Sequence, residues 1–251
     1  MTTLFISDLH LQPSQPALLA ACLRFLDEQA RGCDALYILG DLFEAWIGDD
    51  DDAAWIGDIA GALRRLHDSG TALYFMRGNR DFLVGRDFAE RCGMELPGGD
   101  GGQPADSTVI DLYGRPTLLM HGDTLCTADT EYLAFRAQVH NPQWQQMVLA
   151  MPLEQRRQLA AQLREQSKMA AGNKAEDIMD VTPAEVARVM AANGTDLLIH
   201  GHTHRPARHA VSVDAKPAER IVLGDWREAD GMSYVRATRG GTIELIEYPL
   251  S

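Results

Sequence analysis

The sequence has few cysteines and sets none of them close together. Cys22, Cys33, Cys92 and Cys126 form no Cys-x-x-Cys pair, which excludes a zinc knuckle and a disulfide framework and fits a reducing compartment. No stretch approaches the roughly 18 uninterrupted apolar residues that a membrane span needs. The N-terminus, MTTLFISDLH, enters a strand-like run at once, without the basic region, apolar segment or cleavage site of a signal peptide. A cytoplasmic protein is expected, one that meets lipid only from the surface. Basic residues are scarce too: 23 against 36 acidic ones, for a formal net charge of -13. That balance excludes a general grip on nucleic acid, which needs clustered cations. Any anionic ligand must therefore be met locally.

The 251 residues, 45% of them hydrophobic, are enough for one full core, and a single domain over 1–251 is expected. In the first half, short β-branched or aromatic runs alternate with helical patterns. The spacing predicts buried strands at 3–7 (TLFIS), 35–39 (ALYIL) and 72–76 (ALYFM). Between them, Leu18, Leu19, Cys22, Leu23 and Leu26 recur at helical spacing after Pro16, as do Trp55, Ile56, Ile59, Leu63 and Leu66. This is the rhythm of βαβ units around a buried sheet. Further strands are expected at 108–112, 117–121, 196–200, 220–224, 232–237 and 242–248, in a more antiparallel arrangement.

The rhythm breaks at about 128–193, where helical patterns run on without a strand and predict an insertion into the α/β core. Its apolar residues, among them Phe135, Trp144, Met147, Leu159, Leu163 and Met169, fit two readings. They form the inner face of a helical pair, or they line a hydrophobic slot, a use to which adaptable methionines are suited. The acidic run Asp49 to Asp52 reads as a solvated helix start, and Trp46 as core.

Polar residues cluster where the expected strands end: Asp8 and His10 in SDLH, Asp41 in GDLFEAW, Asn79 in RGNRD, His121 in LMHGD, His202 and His204 in HGHTH. Ligands of open α/β sheets bind at the carboxyl ends of strands, so these seven side chains are expected to converge. Burying four imidazoles and two carboxylates together without a cation is costly. Oxygen and nitrogen donors without thiolate favour manganese, iron, zinc or cobalt. Seven ligands are too many for one ion and suit two that share a bridging carboxylate. Such a pair stabilises both the attacking and the leaving oxygens of an in-line displacement, and its charge lets an acidic protein hold phosphate.

Asp-x-His, Gly-Asp, Gly-Asn-x-Asp, His-Gly-Asp and Gly-His-x-His, in this order from residue 8 to 204, resemble the calcineurin-like metallophosphoesterases. The resemblance implies an α/β fold in which a β-sandwich is flanked by helices, here with an inserted helical lid. It implies one metal on Asp8, His10, Asp41 and His204, and the other on Asp41, Asn79, His121 and His202, with Asp41 as the bridge. His200 matches no ligand position and reads as a strand-end or supporting residue. One departure narrows the chemistry. Many members have histidine after the Gly-Asn pair as a proton donor, whereas here Arg80 follows. Arginine keeps its proton and clamps phosphate, which suits a leaving group already stable as an anion, as in pyrophosphate cleavage.

The longer stretches FISDLHL, GDLFEAWIGDD, RGNRDFL and IHGHTHRP resemble the bacterial UDP-2,3-diacylglucosamine diphosphatases of lipid A synthesis. That resemblance implies two Mn2+ per chain, hydrolysis at the α-phosphate to UMP and 2,3-diacylglucosamine 1-phosphate, and peripheral work at the inner-membrane surface. Asp41, Asn79, Arg80 and His121 would serve catalysis. Asn79, Arg80, Asp129, Ser167, Lys174 and His202 would contact substrate. A further contact position of that family is here Ala171, which offers only its backbone. Two other readings remain: a soluble nucleotide pyrophosphatase or phosphodiesterase with no apolar slot, and a scaffold protein, against which the intact ligand set counts.

Overall fold

The computed structural model describes residues 1–98, 105–172, 178, 180–229 and 231–248. Its first half is built of parallel strands joined by helices. Strands β1 (Thr2–Ile6), β2 (Ala35–Leu39) and β3 (Ala72–Met76) pair in parallel, with helices α1 (Pro16–Glu28) and α2 (Ala54–Asp68) as the crossovers; α3 (Arg86–Cys92) leads into the two-residue strand β4 (Met94–Glu95). The C-terminal strands β10 (Met232–Thr238) and β11 (Ile243–Tyr248) add antiparallel to β1, so the sheet runs β11-β10-β1-β2-β3-β4.

A second sheet contains β5 (Ser107–Leu112), β6 (Arg115–Met120), β7 (Leu197–His200), β8 (Ala207–Val213) and β9 (Lys216–Val222), in the order β5-β6-β7-β9-β8. Its three inner strands are parallel and its edge strands antiparallel.

Strand alternation explains the layering. Leu4, Ile6, Leu36, Ile38, Leu73 and Phe75 face the core beneath α1 and α2, where Cys22, Phe25, Ile59 and Leu63 meet them. Their neighbours Phe5, Leu39 and Met76 point the other way and pack on Leu119, Ile199 and Ile221 of the second sheet. On the far side of that sheet, Leu118, Met120 and Leu198 are covered by Val186 and Met190 of α7 (Pro183–Ala192). The result is a helix–sheet–sheet–helix sandwich.

The span 128–193 serves two layers. Helices α4 (Thr130–Val139), α5 (Pro142–Leu149) and α6 (Leu153–Gly172) pack near the first core through Val139, Val148 and Leu159 in turn, whereas α7 is the helix that covers the second sheet before β7. No helix among the described residues is long and apolar enough to cross a membrane.

Candidate active site

The loops after β1, β2, β3, β6 and β7 bring the expected ligands to one place. Asp8 (φ 57°), His10 (φ 49°), Asp41 (φ 53°), His202 (φ 69°) and His204 (φ 55°) all adopt left-handed backbone, which L-residues seldom hold. The chain turns so sharply at each strand end that the side chains point inward. The glycines of the motifs clear the space: a Cβ at Gly78 would lie 2.1 Å from Asp41 Oδ1, and one at Gly201 2.1 Å from Asp8 Oδ2.

Two clusters share the buried carboxylates. In the first, His204 Nε2 lies 3.3 Å and His10 Nε2 4.0 Å from Asp8 Oδ1, and the two imidazole nitrogens are 3.2 Å apart. In the second, Asn79 Oδ1 is 2.9 Å from both His121 Nε2 and His202 Nδ1. Asp41 stands between them, with Oδ2 3.9 Å from His10 Nε2 and Oδ1 3.7 Å from His121 Nε2. Asp8, His10 and His204, and Asp8, Asp41 and His121, each offer atoms close enough to share one ion.

The donor set fits divalent cations. Asp8 Oδ1 is buried without a hydrogen-bond donor. His121 Nδ1 faces the Leu39 carbonyl at 2.9 Å, so this nitrogen carries the proton and leaves Nε2 bare toward Asn79 Oδ1. Two lone pairs at that distance repel unless a cation lies beside both, the ring gains a second proton, or the Asn79 amide turns its NH2 toward the ring. Burial opposes protonation of His121, yet the carboxylates of Asp41, Asp8 and Asp123 outweigh it and push its pKa up to about 9. Burial and the neighbouring His121 instead drive His202 down to about 4.

The supporting residues include several that sequence reasoning did not single out. Glu44 Oε2 lies 3.1 Å from His10 Nδ1, an ion-pair distance without hydrogen-bond alignment, and Asp225 Oδ2 lies 3.4 Å from His204 Nδ1, so each ring has a carboxylate on its side away from the cluster. Asp81, fully buried, accepts from the backbone N–H groups of Gly78, Asp41 and Leu42 and so fastens two ligand loops together. Burial and nearby Asp41 raise its pKa to about 7. Its place in Gly-Asn-x-Asp was a usable signal; Glu44 and Asp225 carried none. His200 is buried between the Gly201 carbonyl and Arg220, apart from both clusters.

The expected substrate residues lie around these clusters. Arg80 donates from Nη1 to Ser167 Oγ at 3.3 Å, and its Nε is buried without a partner. Asp129 caps α4 by accepting from the Tyr132 N–H and also lines the cleft beside His202. Lys174 lies outside the described residues. That cleft, with about 1350 Å³ of open space, is walled by Asn79, Arg80, Tyr132, Phe135, Leu163 and Ser167. Past Arg80 and Ser167 it continues into a narrow cavity of about 60 Å³ lined by Trp46, Phe82, Phe135, Trp144, Val148 and Leu159. Trp144 is thus a slot residue, whereas Met147 is 53% exposed on the outside.

The inserted helices are tied to the core by charge. The acidic run does not face solvent alone: Asp49 accepts from the N–H groups of Gly85 and Phe88 at the start of α3, Asp50 forms a two-pronged pair with Arg156, and Asp51 and Asp52 meet Arg157. On α4, Arg136 Nε and the Tyr132 hydroxyl both donate to Asp123 of the His-Gly-Asp turn.

Two sheets between helical layers, with carboxylates and imidazoles gathered at strand ends, define a metal-dependent phosphoesterase of the α/β class. The sequence profile of the Calcineurin-like phosphoesterase family matches residues 1–206. The chain is 59% identical to the UDP-2,3-diacylglucosamine hydrolase of Cellvibrio japonicus over 90% of its own length and 91% of that protein's. It is 51% identical to the enzyme of the same name from Marinobacter nauticus (100% of this chain, 99% of that one) and 52% identical to that from Enterobacter (99% and 100%). The chain therefore belongs to the calcineurin-like phosphoesterases and, within them, to the family that these relatives represent.

Proposed function

We propose that this chain hydrolyses the pyrophosphate bond of UDP-2,3-diacylglucosamine at the α-phosphate, releasing UMP and 2,3-diacylglucosamine 1-phosphate for lipid A synthesis. The observation that carries this reading is the apolar slot that opens onto the ligand cluster at Arg80. A soluble nucleotide has no use for such a slot. Each methylene sheltered there contributes about 0.8 kcal/mol, so partial enclosure of two acyl chains would dominate affinity.

Two manganese ions are the cofactor in this reading, one held by Asp8, His10, Asp41 and His204, the other by Asp41, Asn79, His121 and His202. When bound, they supply Lewis-acid stabilisation of the phosphoryl oxygens and activation of the attacking water. The protein's own part is to place and hold. Arg80 stands at the throat between cluster and slot, where its guanidinium clamps the diphosphate. It keeps its proton, and a departing phosphate needs none. Ser167 anchors Arg80, and with Lys174, Asp129 and His202 it meets the polar part of the substrate.

The apolar side chains of Met147, Leu149 and Met169, exposed on α5 and α6, support contact with the cytoplasmic face of the inner membrane, where such a lipid resides. The test compares turnover of UDP-2,3-diacylglucosamine with that of UDP-N-acetylglucosamine by the Mn2+-loaded protein in 18O-labelled water. Label in UMP and a strong preference for the lipid are expected. Label in the sugar phosphate would overturn the site of attack, and equal turnover of the two substrates would favour the soluble pyrophosphatase.

A further inference from the structure

Glu44 divides its carboxylate between the ligand cluster and the inserted helices. Oε2 lies 3.1 Å from His10 Nδ1, on the side of the ring away from the cluster, while Oε1 accepts from Arg164 Nη2 on α6. Its backbone is fixed beside the ligand it faces: His10 N donates to the Asp41 carbonyl, Leu11 N to that of Leu42, and Glu44 N back to that of Leu11. The side chains of His10, Glu44 and Arg164 are only 16%, 19% and 19% exposed, so water competes little for these contacts. Arg164 is thus held by one carboxylate, and its Nε and Nη1 are buried without partners beside the slot.

We propose that Arg164 and Glu44 are positioning residues that act in series on His10, so that the inserted helix α6 contributes to metal affinity at the His10 cluster. The physical reason is orientation. A ligating imidazole is fixed by what its other nitrogen meets, and a carboxylate there must itself be held. Arg164 supplies that hold from α6, which lies outside both sheets. The same chain of contacts joins slot and cluster, so a ligand that shifts Arg164 changes metal affinity, and metal changes ligand affinity by the same factor. This proposal rests on reading the cluster as a metal site, but not on the identity of the lipid.

The test is equilibrium Mn2+ binding to the full-length protein, read from the EPR signal of free Mn2+ and from the metal-induced rise in Tm. Glu44→Gln and Arg164→Gln are each expected to weaken the affected site by about 10- to 100-fold, the range found for outer partners of ligating histidines. The double variant is expected to lose no more than the worse single one, and Arg164→Lys to regain part of the loss. Arg157→Gln cuts a different tie of α6, to Asp51 and Asp52, and is expected to bind Mn2+ as the unaltered protein does. Unaltered binding in Arg164→Gln, equal weakening in Arg157→Gln, or additive losses in the double variant would overturn the relay. Circular dichroism of the metal-free proteins checks folding, and Glu44→Asp, which keeps the charge but withdraws it by one methylene, replaces Glu44→Gln if that variant does not fold. If the unaltered protein binds two ions and yet leaves the UDP-lipid intact, the substrate reading fails and the relay stands.

Discussion

Gly201 approaches Asp8 so closely that a Cβ there would stand 2.1 Å from Oδ2 and 2.2 Å from Ser7 Oγ. Oδ2 is already engaged by Ser7 Oγ and the His202 N–H. Gly201→Ala must therefore displace a ligand loop. Overpacking of this kind costs about 1–3 kcal/mol. The expected outcome is a lower Tm and a lower content of bound metal, measured by elemental analysis. An alanine variant with full metal content would contradict the geometry.

Asp41 faces both clusters. If it bridges two ions as proposed, Asp41→Ala is expected to abolish turnover and to lower the metal content at both positions, because two coordination spheres would lose a donor at once. Two tightly held ions with substantial activity in this variant would rule out a shared carboxylate.

Arg80→Ala tests the clamp. Loss of a charge-assisted donor at a phosphoryl centre is expected to reduce kcat/KM by an amount on the order of 2–4 kcal/mol. Both limbs of the pH–rate profile should persist, since arginine does not titrate in that range. Disappearance of the basic limb would assign Arg80 a proton-transfer role.

The slot makes a contrast between two neighbours on α5. Trp144→Asp places a charge in the cavity beside Phe82 and is expected to raise KM steeply for the diacylated substrate. Met147→Asp changes a side chain that is 53% exposed and should leave KM for detergent-dispersed substrate within a few-fold of normal. Thermal melts of both variants separate binding from folding. Equal damage at both positions would mean that the helix as a whole, and not the slot, is at fault.

His140 sets an acid limit on stability. Burial, with the charge of Arg136 beside it, pushes its pKa down to about 4, and its Nε2 is buried without a partner. The unfolded chain takes up this proton near the ordinary value of about 6.5, and the folded chain only near 4. His140 therefore costs no stability above about pH 6.5, and its penalty grows as the pH falls toward 4. In Tm measurements across that interval, His140→Gln should show a shallower decline; an unchanged slope would mean that other groups dominate.

What the sequence showed, and what it hid, follows from where each signal is stored. Strands β2 and β3 were bounded to the residue, because both faces are buried and every position is apolar. Strand β8 was missed: Ala207–Val213 lies at a sheet edge, where exposed Arg208, Ala210 and Ser212 alternate with half-buried Ala207, His209 and Val211 and no apolar run forms. The two-residue β4 is too short to leave a pattern. The ligand loops were legible because each chemistry-bearing residue adjoins a glycine or ends a strand. Glu44, Arg164 and Asp225 were not, since one charged residue in a polar stretch looks like any other until the fold shows what it faces. For the same reason the acidic run Asp49 to Asp52 read as solvated, although its partners Arg156 and Arg157 lie more than a hundred residues away.

The left-handed backbone of Asp8, His10, Asp41, His202 and His204 has a bearing on how this protein can change. Strain of this kind costs of order 1–3 kcal/mol per residue and is borne by the fold as a whole. A substitution to glycine at any of the five relieves it and removes, in the same step, a side chain that the proposed site depends on. Selection for heat resistance alone would thus favour, at these positions, changes that leave the protein inert. A search for hardier variants must hold them fixed and look to the outer strands and helix ends, where greater stability does not come at the expense of catalysis.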